Sequence, residues 1–264
     1  MARSHQMSLR DLAAWLAPPV AIEGIARVAR PRRYFHGPIP TWPAGASYGA
    51  GDAELALASL QAVPPTELRD LLDLPGPTVK ALISVLWSLS RGPDETPLRV
   101  VDFGGGGGPL YHLCRQLLPA SIYLDWHVHD LPHVVSSSTA TEELSWGSDL
   151  GGVPRPIHTV VTDACLQYIE KPFDALREIA VLGAQHVIIN RLPCSDGEPF
   201  MVMQRIKRAG KQIEFPMHVL NRGEFDGVLL ELGLHIRASW VCGPRYRIRY
   251  GVKAVDTYGF VLGS

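Results

Sequence analysis

The run Gly104–Gly108 is the feature that most restricts what this chain can fold into. The apolar stretch "LRVVDF" at 98–103 enters it, and "PLYHLCRQLLP" leaves it with helical spacing. Consecutive glycines bury no side-chain surface and lose much conformational entropy on ordering, so the run is neither a packed strand nor a helix interior. It is a turn from strand to helix, kept for its shape or for a ligand lying on bare backbone. In open α/β sheets ligands bind at such turns, and the amides at the helix start favour an anionic or polar group.

Three nucleotide signatures compete for the run. A GxGxxG pattern needs its third glycine at Pro109, Leu110 or Tyr111 and fails in every frame. A P-loop fails because no Gly-Lys-Ser/Thr follows. Acid-x-Gly-x-Gly fits as Asp102, Gly104 and Gly106, and a second acid, Asp130, closes the next apolar run in "WHVHD". A carboxylate at that position can accept both hydroxyls of a ribose.

The rest of the chain supports the α/β reading. From about residue 97, strand-like runs "LRVVDF", "IYLDWHVH", "IHTVVTD" and "HVIINR" alternate with helical stretches "PLYHLCRQLLP", "PFDALREIAVLG" and "RGEFDGVLLELGL". That alternation predicts a mostly parallel sheet with helices on both faces. "HIRASWVC" and "TYGFVLG" have no helix between them and predict an antiparallel closing pair. Residues 1–95 read as a helical cap, from "SLRDLAAWLA", "DAELALASLQAV", "TELRDLLDL" and "PTVKALISVLWSLS". Within it "RPRRYFHGPIPTWPAGASYGAG" is a long loop rich in Pro, Gly and aromatics, and its 34–50 portion suits a lid that orders on ligand binding. The predicted division is therefore a cap over 1–95 and a ligand-binding domain over 96–264.

Composition narrows the partners. With 25 Lys and Arg against 26 Asp and Glu, a net charge of −1, and no basic run beyond "RPRR" at 30–33, there is no electrostatic case for nucleic acid. Cys114, Cys165, Cys194 and Cys242 lie far apart without a CxxC pair, which argues against a zinc site or a disulfide framework and for a reducing compartment. "MARSHQMSLRDLAAWLAPPV" lacks a continuous apolar signal core, and no stretch reaches the ~18 apolar residues that span a bilayer. The expectation is a cytoplasmic protein with no membrane partner.

The series "VVDFGGGGG", "WHVHDLPHVV", "VVTDACLQYIEKPFDAL", "VIINRLPCSDGEP" and "HVLNRGEFDGVLLELG" resembles the Rossmann-like S-adenosylmethionine-dependent methyltransferases, and within them a little-characterised bacterial group. The resemblance covers most of residues 34–262. It implies a seven-stranded sheet with S-adenosylmethionine, a co-substrate, across the carboxyl ends of the strands and a helical cap before it. By motif position Asp102, Gly104 and Gly106 face the methionine part, Asp130 the ribose, and Asp149 in "GSDL" the adenine. Leu131 and Asp163 complete the implied cofactor contacts. The motif does not require five glycines.

Several other residues carry chemistry. His127, His129, Asp130 and His133 form H-x-H-D-x-x-H, and a metal is conceivable there; with the acid assigned to ribose, no metal is expected. Asp163 ends the fourth strand and Tyr168 follows on the turn, both over the implied sulfonium, while "NRLPCSDGEP" brings Ser195 and Asp196 to the same cleft. Tyr168 and Ser195 are the catalytic candidates. Nothing beside Cys165 or Cys194 implies a thiolate. Three activities follow: methyl transfer to a small-molecule acceptor of the secondary-metabolite or sugar type, cyclisation of S-adenosylmethionine alone to azetidine-2-carboxylate and methylthioadenosine, and non-catalytic cofactor binding. The short insertion "QRIKRAGKQIEFPM" leaves little chain for an acceptor site, which is the argument for the cyclase.

Overall fold

The structure, a computed structural model, describes residues 35–46, 74–92, 97–208, 211–243, 248–250 and 253–263. Three of the expected cap helices, the "RPRR" run and residues 34 and 47–50 of the expected lid lie outside the described residues.

Five parallel strands form the centre: β2 (Leu98–Phe103), β3 (Leu124–His129), β4 (Leu144–Gly147), β5 (Thr159–Asp163) and β6 (His186–Ser195), in the order β4-β3-β2-β5-β6. Beyond β6, β12 (Thr257–Gly263) and then β9 (His235–Val241) add antiparallel, as the tail sequences predict. These seven strands are the sheet the resemblance implies. The full sheet has ten. The extra three are β1 (Phe35–Ile39), β7 (Phe200–Arg208) and β8 (Lys211–Asn221), so the expected loop at 35–39 is a strand and the short insertion is largely made of the antiparallel strands β7 and β8. A separate hairpin pairs β10 (Ile248–Tyr250) with β11 (Lys253–Val255).

Strand β6 serves both parts. Between the pairs Ile189–Phe260 and Leu192–Tyr258, two residues of β6, Asn190 and Arg191, stand opposite the single Gly259 of β12, and Arg191 there has φ 59°. A bulge of this kind bends its strand. Past it, Cys194 and Ser195 pair with Leu220 and Asn221 of β8, which hangs the three-stranded extension on the carboxyl end of β6.

Consecutive apolar residues on the central strands face opposite layers, as fully buried parallel strands require. On one side Val100, Trp126, Val128, Val161, Ile188 and Val261 pack under α1 (Gly76–Leu89) and α2 (Pro109–Leu117), through Leu82, Val85, Leu89, Leu110, Leu113 and Cys114. On the other, Val101, Phe103, Val160, Val187, Ile189 and Phe260 meet α4 (Pro172–Val181) and α5 (Arg222–Glu231), through Leu176, Ile179, Phe225 and Leu229. Each such side chain contributes about 1.5–3 kcal/mol on burial. Helix α3 (Pro132–Ser136) is a short turn after β3.

Local chemistry sets the helix starts. Asn221 caps α5 by accepting from the Glu224 amide at 2.7 Å. Helix α1, read as part of a cap, instead lies on the sheet, where Ser88 Oγ and Thr159 Oγ1 share a buried hydrogen bond of 2.8 Å. Trp126 is wholly buried between these layers, so Trp126→Ala should cost about 3–5 kcal/mol of unfolding free energy. Urea titration checks this; a loss below 1 kcal/mol contradicts the packing described.

Candidate functional site

Four of the five glycines have structural reasons. At Gly104, φ is 74°, and a Cβ there would overlap Cys165 Sγ. At Gly105 a Cβ would overlap the Asp102 carboxylate, over which this backbone runs. Gly106 and Gly108 also have positive φ, and Gly108 precedes Pro109 at the start of α2. Gly107 does not have a positive φ.

The loop is tied to its neighbours by backbone groups. The Gly104 amide donates to His129 O at 2.8 Å, the Gly106 amide to Asp130 Oδ2 at 2.8 Å, and Trp146 Nε1 to Gly106 O at 2.8 Å. Asp130 Oδ1 accepts from the Leu131 amide at 2.7 Å. Two of the roughly four acceptor positions of the Asp130 carboxylate are used in this way. Asp102, beneath Gly105, is only 3% exposed, and its Oδ2 makes no hydrogen bond. Burial first, and then the charge of Asp163, push its pKa up to about 7, with the nearby Trp126 indole offsetting a part.

Other predicted residues are placed as follows. Asp163 ends β5, where its Oδ1 accepts from Arg191 Nε at 2.6 Å and Asn190 Nδ2 at 2.9 Å. Asn190 Nδ2 also donates to Pro77 O at 3.1 Å, which links α1 to the same cluster. Asp149 accepts from the Gly151 amide at 2.8 Å and lines a groove of about 560 Å³ with His129, Leu150, Arg155 and Glu178. Leu131 is the N-cap residue of α3. Asp102, Asp130 and the glycines thus form one group, with Asp163 beside it through its effect on Asp102.

Tyr168 and Ser195 are turned toward the extension. The Tyr168 hydroxyl donates to Gln204 Oε1 at 2.7 Å, and its ring meets Phe215 edge-on with centroids 5.3 Å apart. Phe35, Tyr168 and Phe200 are half-buried against Val202, Met217 and Val219. Ser195 Oγ donates to Gly197 O at 3.5 Å. Burial raises the Cys165 and Cys194 thiols to about 12, so neither is a thiolate at neutral pH.

The histidines do not converge. His127 Nδ1 is 3.1 Å from Ser145 Oγ, His129 packs on Phe103, and among the described residues no group of three His, Cys, Asp or Glu is arranged to hold a metal. Burial lowers the pKa of both His127 and His129. Among the described residues no helix is long and apolar enough to cross a membrane.

Sequence reasoning missed Trp146, Arg191, Asn190 and Gln204. Arg191 follows Asn190 in a strand that reads as plain apolar sequence, and only its αL backbone turns it onto Asp163. No local signal marks Gln204.

Comparison with solved structures places the chain in the Rossmann-like methyltransferase fold. The Burkholderia thailandensis 1,6-didemethyltoxoflavin-N1-methyltransferase, bound to 1,6-didemethyltoxoflavin and S-adenosylhomocysteine, superposes with a TM-score of 0.53 at 14% identity, over 86% of this chain and 94% of its own. The Synechocystis magnesium protoporphyrin IX methyltransferase with bound S-adenosylmethionine gives 0.51 at 13% identity, over 82% and 94%. No family model and no curated protein matches the chain, so the finer resemblance to one bacterial group gains no support.

The glycine geometry makes a graded prediction. Gly104→Ala should destabilise by more than the ~1–2 kcal/mol of a strained αL residue, because the Cys165 overlap adds to it. Adding Cys165→Gly should recover the steric share only. Gly107→Ala should fall within about 0.5 kcal/mol of the unmutated protein or above it. Thermal and urea unfolding of the four proteins check the order; a Gly107 variant as damaged as the Gly104 one contradicts it.

Proposed function

We propose that this protein is an S-adenosylmethionine-dependent methyltransferase acting on a small-molecule acceptor. The observation that carries the reading is the loop Gly104–Gly108, run bare over the buried Asp102 and tied to Asp130, at the carboxyl ends of β2 and β3 in a fold shared with two methyltransferases of known ligands. The residues fit the cofactor. Asp102, Gly104 and Gly106 would hold its amino-acid end, Asp130 with its remaining acceptor positions the ribose hydroxyls, and Leu131 and Asp149 the base. The bound cofactor supplies a methyl group made electrophilic by its sulfonium.

What the protein adds is alignment and exclusion of water. Asp163, paired with Arg191 and Asn190, orients groups at the end of β5. Tyr168, pinned by Gln204, stands in a wall of Phe35, Phe200 and Phe215 on the extension. Ser195 ends β6 where that wall begins. We favour transfer over cyclisation because the segment read as too short for an acceptor site belongs to a three-stranded platform joined to the carboxyl end of β6. Its aromatic residues suit a flat or apolar acceptor, and the Burkholderia neighbour is bound to 1,6-didemethyltoxoflavin.

Incubation with S-adenosylmethionine alone should leave the cofactor intact by mass spectrometry, whereas release of methylthioadenosine would make the protein a cyclase. Calorimetry should show cofactor binding that Asp130→Ala weakens by about 1.5–3 kcal/mol, as loss of hydrogen bonds to a charged group does. Unchanged affinity removes Asp130 from the ribose.

A further inference from the structure

We propose that Asp102 makes the glycine loop a proton-exchanging seat for a cation: neutral in the ligand-free protein, the carboxyl gives its proton to solvent when the positively charged end of the cofactor settles beside it. This rests on the S-adenosylmethionine reading above and extends it to the state of the protein before binding.

Three carboxylates meet here, and two are compensated where they stand. Asp130 accepts from the Gly106 and Leu131 amides, and Asp163 from Arg191 and Asn190. Among the described residues Asp102 has only the Trp126 indole to favour its charge, and burial outweighs it. It is 3% exposed, its Oδ2 is sealed without a partner, and the Gly105 backbone lies directly over the carboxyl group.

Among the described residues, the groups that face it offer no positive charge. From β5 comes Asp163, from the end of β3 Asp130, from the turn after β5 the Cys165 thiol, from α2 the Cys114 thiol, and from β3 the neutral Trp126 indole. Burial holds both thiols protonated. The cation of the cluster, Arg191, has its Nε on Asp163. A third negative charge is therefore the one the empty site withholds, in keeping with a proton held up to about pH 7. A ligand that brings a sulfonium and an ammonium to the loop reverses the balance. The O–H bond of Asp102 then breaks, its electron pair stays on the carboxylate, the proton passes to buffer, and the ligand keeps its own charge.

The test is calorimetry with S-adenosylmethionine at pH 7 in phosphate and in Tris, whose heats of ionisation differ. Linkage predicts that Asp102 releases roughly half a proton per cofactor bound at pH 7, a contribution that falls toward zero above pH 8. The ligand's own amine, which titrates near 8, gives proton uptake, the opposite sign. Asp102→Asn should lose the release and keep only the small uptake of the ligand's amine. Equal heats in both buffers, or net uptake, overturn the proposal while leaving the cofactor assignment in place. Absence of any binding overturns both. A measurement independent of binding is the carboxyl carbon NMR titration of the ligand-free protein: Asp102 should have a midpoint near 7, and a midpoint in the ordinary aspartate range ends the proposal whatever the calorimetry gives.

Discussion

One hydrogen bond, from the Gly106 amide to the Asp130 carboxylate, organises the carboxyl ends of the strands. It fastens the loop after β2 to the end of β3, and Trp146 on β4 holds the same glycine by its carbonyl. With Gly104 against Cys165 and Gly105 against Asp102, the loop is fixed from β5 and β2 as well. A chain held that closely has no room for side chains. The glycines are thus a packing requirement before they are a binding motif, and the binding surface is what the packing leaves bare.

The central sheet was legible because burial on both faces writes itself as unbroken apolar runs. Val100 and Val101, or Val187, Ile188 and Ile189, feed opposite layers from adjacent positions, and no soluble helix of that length needs such a run. The extension was hidden for the opposite reason. Strand β1 contains Gly37 and Pro38, β8 contains Pro216, and β7 is half polar, so each lacks the signature of a strand until its neighbours supply the ladder.

The site divides along the same line. Asp102, Gly104, Gly106 and Asp130 were readable because they sit at fixed offsets from strand ends, where the fold alone decides what they face. The partners of the remaining residues come from afar: Arg191 reaches Asp163 through an αL kink, and Gln204 reaches Tyr168 from 36 positions along the chain. Such pairings depend on how a bulge and a hairpin turn, and no spacing rule records that. The third and fourth glycine constraints, at Gly105 and Gly108, became visible only with the carboxylate and the helix they adjoin.

The fork in β6 has a consequence for how this molecule can change over time. Its carboxyl end joins the extension through two residue pairs, Cys194–Leu220 and Ser195–Asn221, while the seven-stranded sheet is built around its other end. Substitutions on β1, β7 and β8 therefore alter the extension while the loop over Asp102 stays as it is. The extension is insulated from the glycine loop, and a lineage can rebuild the first without disturbing the second.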